Sequence, residues 1–331
     1  MHPRSSLLLV ALALATLFGC SFASTPDAAT QSLVEARANA ETVAIDGLSI
    51  RVRRSVRENA PALVLLGPYP QSIRAWDAAW PALADRYDLL AMDLPGFGLS
   101  EGRPDTMSPS AAGGVVLATA THFGLDRFHL VGPDVGVPVA LWISANHPER
   151  VASANVFDGP GFFPPEMEPQ LDQLVHSGFA RWMAGNVVAD SAMDQFYAIA
   201  THAGYSVASA SESASIEYHA ITHDPTAHRL ALAYLASYES ELEAIGRSLP
   251  KISRPILITW GRDDAFVLPS NGERMNALIP ASRLVVFDGA GHYSHEDAGE
   301  RYIETLVDWI DGGHLAVTKP TGPTTLNASV H

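Results

Sequence analysis

The segment Leu130-Val131-Gly132-Pro133-Asp134-Val135-Gly136 sets a carboxylate among small residues, where an apolar run gives way to a helical pattern. A strand-to-helix turn of this kind is sharp. Its glycines let the backbone pack closely and leave the central side chain exposed at the strand's end. The N–H groups of the following helix face the same place with partial positive charge. Asp134 is there either as a nucleophile aimed at an electrophilic carbon or as an ordinary helix N-cap. Two later segments bear on that choice. Ile256-Leu257-Ile258-Thr259-Trp260-Gly261-Arg262-Asp263-Asp264 runs from a strand pattern into an acidic loop, and Val285-Val286-Phe287-Asp288-Gly289-Ala290-Gly291-His292 runs from the next one into a histidine. Carboxylate, acid and histidine, each just after a strand, would project from one edge of a parallel sheet, where open α/β sheets bind their ligands. This is the chain order of a nucleophile–acid–histidine triad. Any single one of the 13 histidines would be weak evidence. Three residue types in order at three strand ends favour chemistry over capping.

The elements that must position these residues alternate along the chain. Thr42 to Ile45 and Leu48 to Val52, split by Asp46-Gly47, are predicted to form a hairpin. Ala62–Leu66, Tyr87–Met92, Arg127–Val131 and Val151–Phe157 are predicted strands. Arg74–Asp85, Ser108–Phe123 and Val137–Asn146 are predicted helices, the second opened by a capping serine. Alternation of this kind implies a mostly parallel sheet covered on both faces. It breaks at Gly159-Pro160-Gly161. Residues 162–248 carry helical spacing without a strand pattern, notably over Asp190–Ala200 and Ser213–Tyr238. It resumes with strands Pro255–Trp260 and Arg283–Phe287 and helices Ser270–Leu278 and Glu300–Ile310. The expected organisation is a core over 41–160 and 249–312, a helical cap over 161–248, and a disordered tail over 313–331.

From about Thr42 to Gly312 the sequence resembles the α/β-hydrolase superfamily. Asp93-Leu94-Pro95-Gly96-Phe97-Gly98-Leu99-Ser100 is similar to that family's Asp-x-Pro-Gly-x-Gly-x-Ser loop, and the triad order is shared. The resemblance implies an α/β fold: a mostly parallel sheet flanked by helices, with the cap inserted after the sixth core strand. An aspartate at the elbow resembles the epoxide hydrolases and the haloalkane and haloacid dehalogenases, where most of the superfamily has serine. The family pattern makes Asp264 the acid that orients His292, with Asp263 a loop residue. Some dehalogenases place the acid after the preceding core strand, where Asp158 stands here, so Asp158 is the alternative acid. The resemblance also implies an oxyanion hole built from two backbone N–H groups, one from Val135 and one from Tyr69. The family's His-Gly-x-Pro loop reads here as Gly67-Pro68-Tyr69-Pro70, which keeps the N–H of Tyr69 while Pro68 restricts the loop.

Substrate class follows from the neighbours of the nucleophile. A leaving halide needs N–H donors, and the tryptophan that usually follows the dehalogenase nucleophile is Val135 here. Epoxide opening needs an acid for the leaving alkoxide, and a tyrosine suits. Tyr234 is placed like the second cap tyrosine of the family, with Tyr238 one turn later as the next candidate. Residues 162–190 contain no tyrosine, leaving Trp182 or His176 to stand in for the first. The expectation is an epoxide-hydrolase-like enzyme acting on a small apolar substrate and water. Alternatives are a dehalogenase or another hydrolase of this fold, and a non-catalytic ligand-binding lipoprotein.

Composition bounds the partners. Of 331 residues, 47% are hydrophobic and 17% charged, which marks a globular chain, and the formal net charge of −15 argues against nucleic acid. The histidines read as scattered and no nucleotide-binding glycine loop is present, so no metal and no cofactor is expected. At the N-terminus Arg4 precedes the apolar run Leu7–Phe18, which suits a secretory signal segment over 1–19. Leu17-Phe18-Gly19-Cys20 resembles a bacterial lipobox, with Cys20 as the lipidation site and 20–40 as a tether; the alternative is cleavage after Ala23. Cys20 is the single cysteine, so no intramolecular disulfide can form. The expected location is the periplasm, free or held at a membrane by the lipid anchor.

Overall fold

The computed structural model describes residues 40–186, 194, 197–199 and 203–317. Cys20, the signal segment, nearly all of the tether, and most of the helix expected over Asp190–Ala200 lie outside the described residues. Eight strands form one sheet: β1 (Glu41–Ile45), β2 (Leu48–Ser55), β3 (Ala62–Leu66), β4 (Asp88–Met92), β5 (Phe128–Pro133), β6 (Val151–Phe157), β7 (Ile256–Gly261) and β8 (Ser282–Phe287). Their order is β1-β2-β4-β3-β5-β6-β7-β8. β1 and β2 pair antiparallel, as do β2 and β4, and every later pairing is parallel. The turn between β1 and β2 puts Asp46 (φ 50°) and Gly47 (φ 76°) in the left-handed region, which suits a two-residue hairpin.

The central strands are apolar on both sides because both faces are covered. Along β3, Val64 and Leu66 enter one core while Leu63 and Leu65 enter the other. The first core takes helices α2 (Pro109–His122) and α3 (Gly136–Asn146); the second takes α1 (Trp80–Ala84) and, from the C-terminal end, α10 (Glu300–Ile310). Ser108 caps α2 by accepting the Ala111 N–H, with Pro109 just inside. The helix expected over Arg74–Asp85 is instead a short 3-10 turn (Ile73–Trp76) followed by α1. Pro81 lacks the N–H that an unbroken helix would need there.

Between β6 and β7 the described cap holds α4 (Pro169–His176), α5 (Gly178–Asn186), α6 (Glu212–His223) and α7 (Pro225–Ser248). The single helix expected over Ser213–Tyr238 is two. Pro225 ends the first, and Asp224 caps the second by accepting the N–H groups of Thr226 and Ala227. Long α7 packs against α3, α4, α5 and α6. Polar bonds seat the cap on the core: Ser110 donates to Glu241 from both its N–H and its hydroxyl. Arg51 of β2 meets Glu217 of α6 at 2.6 and 3.2 Å, with the Ser72 hydroxyl donating to the same carboxylate at 2.5 Å. After β7 come α8 (Ser270–Leu278), β8, α9 (Ser294–Ala298) and α10. The tail expected from 313 begins with a further 3-10 turn, Gly313–Ala316, where the His314 ring donates to the Trp309 carbonyl; residues 318–331 lie outside the described residues.

Candidate active site

Asp134 sits between β5 and α3 with φ at 47°, the left-handed region that a non-glycine residue enters only under constraint. Two close approaches impose the turn. A Cβ on Gly132 would meet the Gly136 carbonyl oxygen at 2.4 Å, and one on Gly159 would meet the Asp134 carbonyl oxygen at 2.2 Å. Glycines at both positions let the elbow close. The Asp134 N–H donates to Phe157 O at 2.9 Å, which ties the elbow to the end of β6.

The Asp134 side chain accepts the Tyr69 N–H on Oδ2 at 2.9 Å, and the Val135 N–H also donates to this carboxylate. Both backbone groups expected at the oxyanion hole therefore converge on Asp134. Gly67 has a steric reason to lack a side chain: its Cβ would meet Asp93 Oδ1 at 2.8 Å. The other oxygen, Oδ1, lies 3.8 Å from His292 Nε2. Burial pushes the Asp134 carboxyl up, opposed by His292 and the two N–H donors.

His292 Nδ1 is 2.9 Å from Asp264 Oδ2, while Asp264 Oδ1 accepts the N–H groups of Phe266 and Val267. Asp263 is exposed beside it. Burial alone would lower the imidazole. Asp264 first, then Asp134 and Asp158, outweigh it and raise His292 to about 9. Asp158 lies at the end of β6 but faces elsewhere: Oδ1 accepts the Gly261 N–H at 3.2 Å and Oδ2 the Ser294 N–H at 3.0 Å. Of the two candidate acids, Asp264 is the one in hydrogen-bond contact with His292.

Aromatic rings surround the carboxylate. Tyr69 meets Phe97, Phe97 meets Tyr234 and Tyr234 meets Tyr238, with centroids 5.7, 5.1 and 5.5 Å apart; Phe266 and Tyr293 flank His292. Burial raises the phenols of Tyr69, Tyr234, Tyr238 and Tyr293, and the Asp134 charge adds to each. All four are therefore held as neutral donors. The Tyr234 hydroxyl donates to the Val135 carbonyl at 2.8 Å. Among the described residues no partner holds the Tyr238 hydroxyl. Neither stand-in for a first cap tyrosine turns inward: Trp182 is 55% exposed and stacks on Phe179, and His176 pairs with Asp172.

The contacts made by two acidic groups at the site escaped the sequence reading. Asp93 accepts the Ile73 and Leu99 N–H groups beneath the Tyr69 loop and faces Arg51. Glu296 binds Gln71 and Tyr205, and burial raises it to about 7. Both depend on long-range pairing that no spacing announces. The reading of the histidines as scattered also fails at one place: His219 and His223 stand one helical turn apart on α6 and meet Asp194. Their His-x-x-x-His spacing was the available signal.

Comparison with known proteins agrees with this architecture. A family model described as the alpha/beta hydrolase fold matches residues 61–299. Pimeloyl-[acyl-carrier protein] methyl ester esterase of Aeromonas hydrophila is 29% identical over 258 residues, 76% of this chain and 95% of that protein. Haloalkane dehalogenase 2 of Mycobacterium tuberculosis is 25% identical over 241 residues, 69% and 80% of the two chains. Among solved structures, a membrane phospholipase A superposes with a TM-score of 0.69 at 22% identity, covering 92% of this chain and 96% of that one, a likeness of fold.

Proposed function

The chain belongs to the α/β-hydrolase family, and within it we propose a hydrolase that opens a small apolar epoxide through an ester on Asp134. One observation carries the reading: a carboxylate stands at the nucleophile elbow, Oδ2 already held by Tyr69 and Oδ1 turned towards a histidine paired with Asp264.

In this scheme Oδ1 attacks the epoxide carbon and the C–O bond breaks. The leaving alkoxide takes a proton from a phenol. Tyr238 is favoured as donor because the Tyr234 hydroxyl is engaged by Val135. The product is a neutral ester whose carbonyl oxygen is Oδ2, already held by the Tyr69 N–H, one of the donors that an oxyanion requires. His292, raised to about 9, begins as an imidazolium. It returns a proton to the tyrosinate and becomes neutral. Loss of the Asp134 charge removes one of the groups that raised it. Neutral His292 then takes a proton from water, and hydroxide attacks the ester carbon. Collapse releases the diol, and both Asp134 and the imidazolium are restored. Epoxide plus water gives diol, with no net proton exchange.

Halide expulsion fits less well. The indole N–H groups of Trp76, Trp260 and Trp309 donate to Leu66 O, Val267 O and Ser153 Oγ, away from Asp134. The test is a panel of terminal epoxides, haloalkanes and simple esters given to the purified chain. Diol formation from epoxides supports the proposal. Halide release without diol makes the enzyme a dehalogenase, and ester cleavage alone would assign it to the wider esterase chemistry of the fold.

The proposal includes export with Cys20 as a lipid anchor, supported by the apolar run Leu7–Phe18 and the lone cysteine at its boundary. Among the described residues no helix is long and apolar enough to cross a membrane. Incorporation of labelled fatty acid, lost in Cys20→Ser, checks the anchor.

A further inference from the structure

Away from the reacting carboxylate, α6 presents His219 and His223 on its outer side. Their rings stack at 3.9 Å and 17°, and both Nε2 atoms converge on Asp194 Oδ1, at 3.3 and 2.9 Å. The three ligand atoms lie within 4.8 Å of one another. We propose that Asp194, His219 and His223 form a binding site for a divalent transition metal, zinc foremost, that staples the Asp194 segment of the cap to α6.

The hydrogen bonding of His223 leaves one ring nitrogen for a ligand. Its Nδ1 lies 2.8 Å from the His219 carbonyl oxygen. A carbonyl can only accept, so Nδ1 carries a hydrogen. Nε2, the nitrogen on the other side of the ring, is the one that faces the Asp194 carboxylate, at 2.9 Å. An N–H to carbonyl bond on the far ring nitrogen is also what fixes the orientation of metal-binding histidines.

The spacing suits the ion. Zinc bonds of about 2.0–2.2 Å in a tetrahedron set ligand atoms about 3.3 Å apart. The observed separations from Asp194 are 3.3 and 2.9 Å, so small side-chain rotations complete the set. Two imidazoles and a carboxylate are borderline donors that suit zinc better than calcium or magnesium. The Asp194 and His219 side chains are 63% and 49% exposed, which leaves the remaining position open to water.

The place of the site gives the metal a consequence. The same helix is locked to the core through Glu217, Arg51 and Ser72. Tyr197 packs against His219, with its hydroxyl on Ser215 O. Further along the chain, Gly204 O accepts the Tyr293 N–H and the Ser206 N–H donates to Asp297, so this part of the cap holds the loop that carries His292. A bound ion would restrain that contact whatever reaction Asp134 performs.

The test titrates the full chain with Zn²⁺ by calorimetry and with Co²⁺ by visible absorption at neutral pH, beside His219→Ala, His223→Ala, Asp194→Asn and the control His122→Ala on α2. The expected result is one equivalent bound, with affinity reduced about 10-fold or more in each site variant and unchanged in the control. Zn²⁺ should also raise the melting temperature of wild type and not of the double histidine variant. All three substituted side chains lie at the surface, and circular dichroism confirms that each variant is folded. Asp194→Asn removes a ligand without altering α6. Failure of wild type to bind one equivalent, or equal binding by the double histidine variant, overturns the proposal.

Discussion

Asp264→Asn separates orientation from packing. In the native site Asp264 Oδ1 accepts two backbone N–H groups and Oδ2 faces His292 Nδ1 at 2.9 Å. An asparagine keeps its oxygen on the backbone donors and turns its amide N–H towards Nδ1. The imidazole must then accept there, which moves its proton to Nε2, the nitrogen 3.8 Å from Asp134. That nitrogen can no longer take a proton from water. The equivalent change in serine proteases drops turnover about 10⁴-fold through the wrong tautomer. Ester hydrolysis should fall by about 10³–10⁴ on the same logic, while ester formation, which needs only Asp134 and a phenol, changes far less. Rapid quench and intact-mass measurement should show an adduct approaching one per enzyme. Asp158→Asn is the contrast. Asp158 satisfies the Gly261 and Ser294 N–H groups, and an asparagine can serve only one, so a buried donor is lost at about 1–3 kcal/mol. Its signature is lowered stability without adduct. Adduct in Asp158→Asn and none in Asp264→Asn would refute the reasoning and make Asp158 the orienting acid.

Three further outcomes follow from the site. Glu217→Ala removes the carboxylate that pairs with buried Arg51 at 2.6 Å, and should cost about 3 kcal/mol in urea unfolding and raise KM as the cap loosens. Tyr238→Phe should slow ester formation from epoxides about 10²-fold or more, as removal of a general acid does; Tyr234→Phe, which removes a bond to a backbone carbonyl, should cost about 1 kcal/mol of stability and less rate. Because His292 is raised from 6.5 to about 9, its contribution to stability is full below about pH 6.5 and is lost as pH rises through about 9. Stability in urea should decline over that window.

What the sequence made legible and what it hid divide along a physical line. The strands showed because a parallel sheet covered on both faces demands continuous apolar runs, and Val151–Phe157 matches β6 end for end. The elbow showed because only small residues permit it, and Gly132 and Gly136 stand two positions to either side of Asp134 in sequence. Local breaks were passed over: Pro81 and Pro225 each interrupt a predicted helix although apolar spacing continues through them. Contacts across the chain had no local signature. Arg51 and Glu217 are 166 positions apart, and nothing near either announces an ion pair between β2 and the cap. The choice between Asp264 and Asp158 likewise needed coordinates, since both end core strands and only the direction of each carboxylate distinguishes them.

The central claim is that Asp134 attacks carbon and His292 releases it. His292→Ala, incubated with terminal epoxides and haloalkanes and mapped by peptide mass, tests it most directly. The account predicts an ester that accumulates on the peptide containing Asp134, heavier by the full mass of the epoxide, and absent when Asp134→Ala is added. Turnover of epoxides by wild type with no adduct in His292→Ala, or an adduct that persists without Asp134, would contradict it.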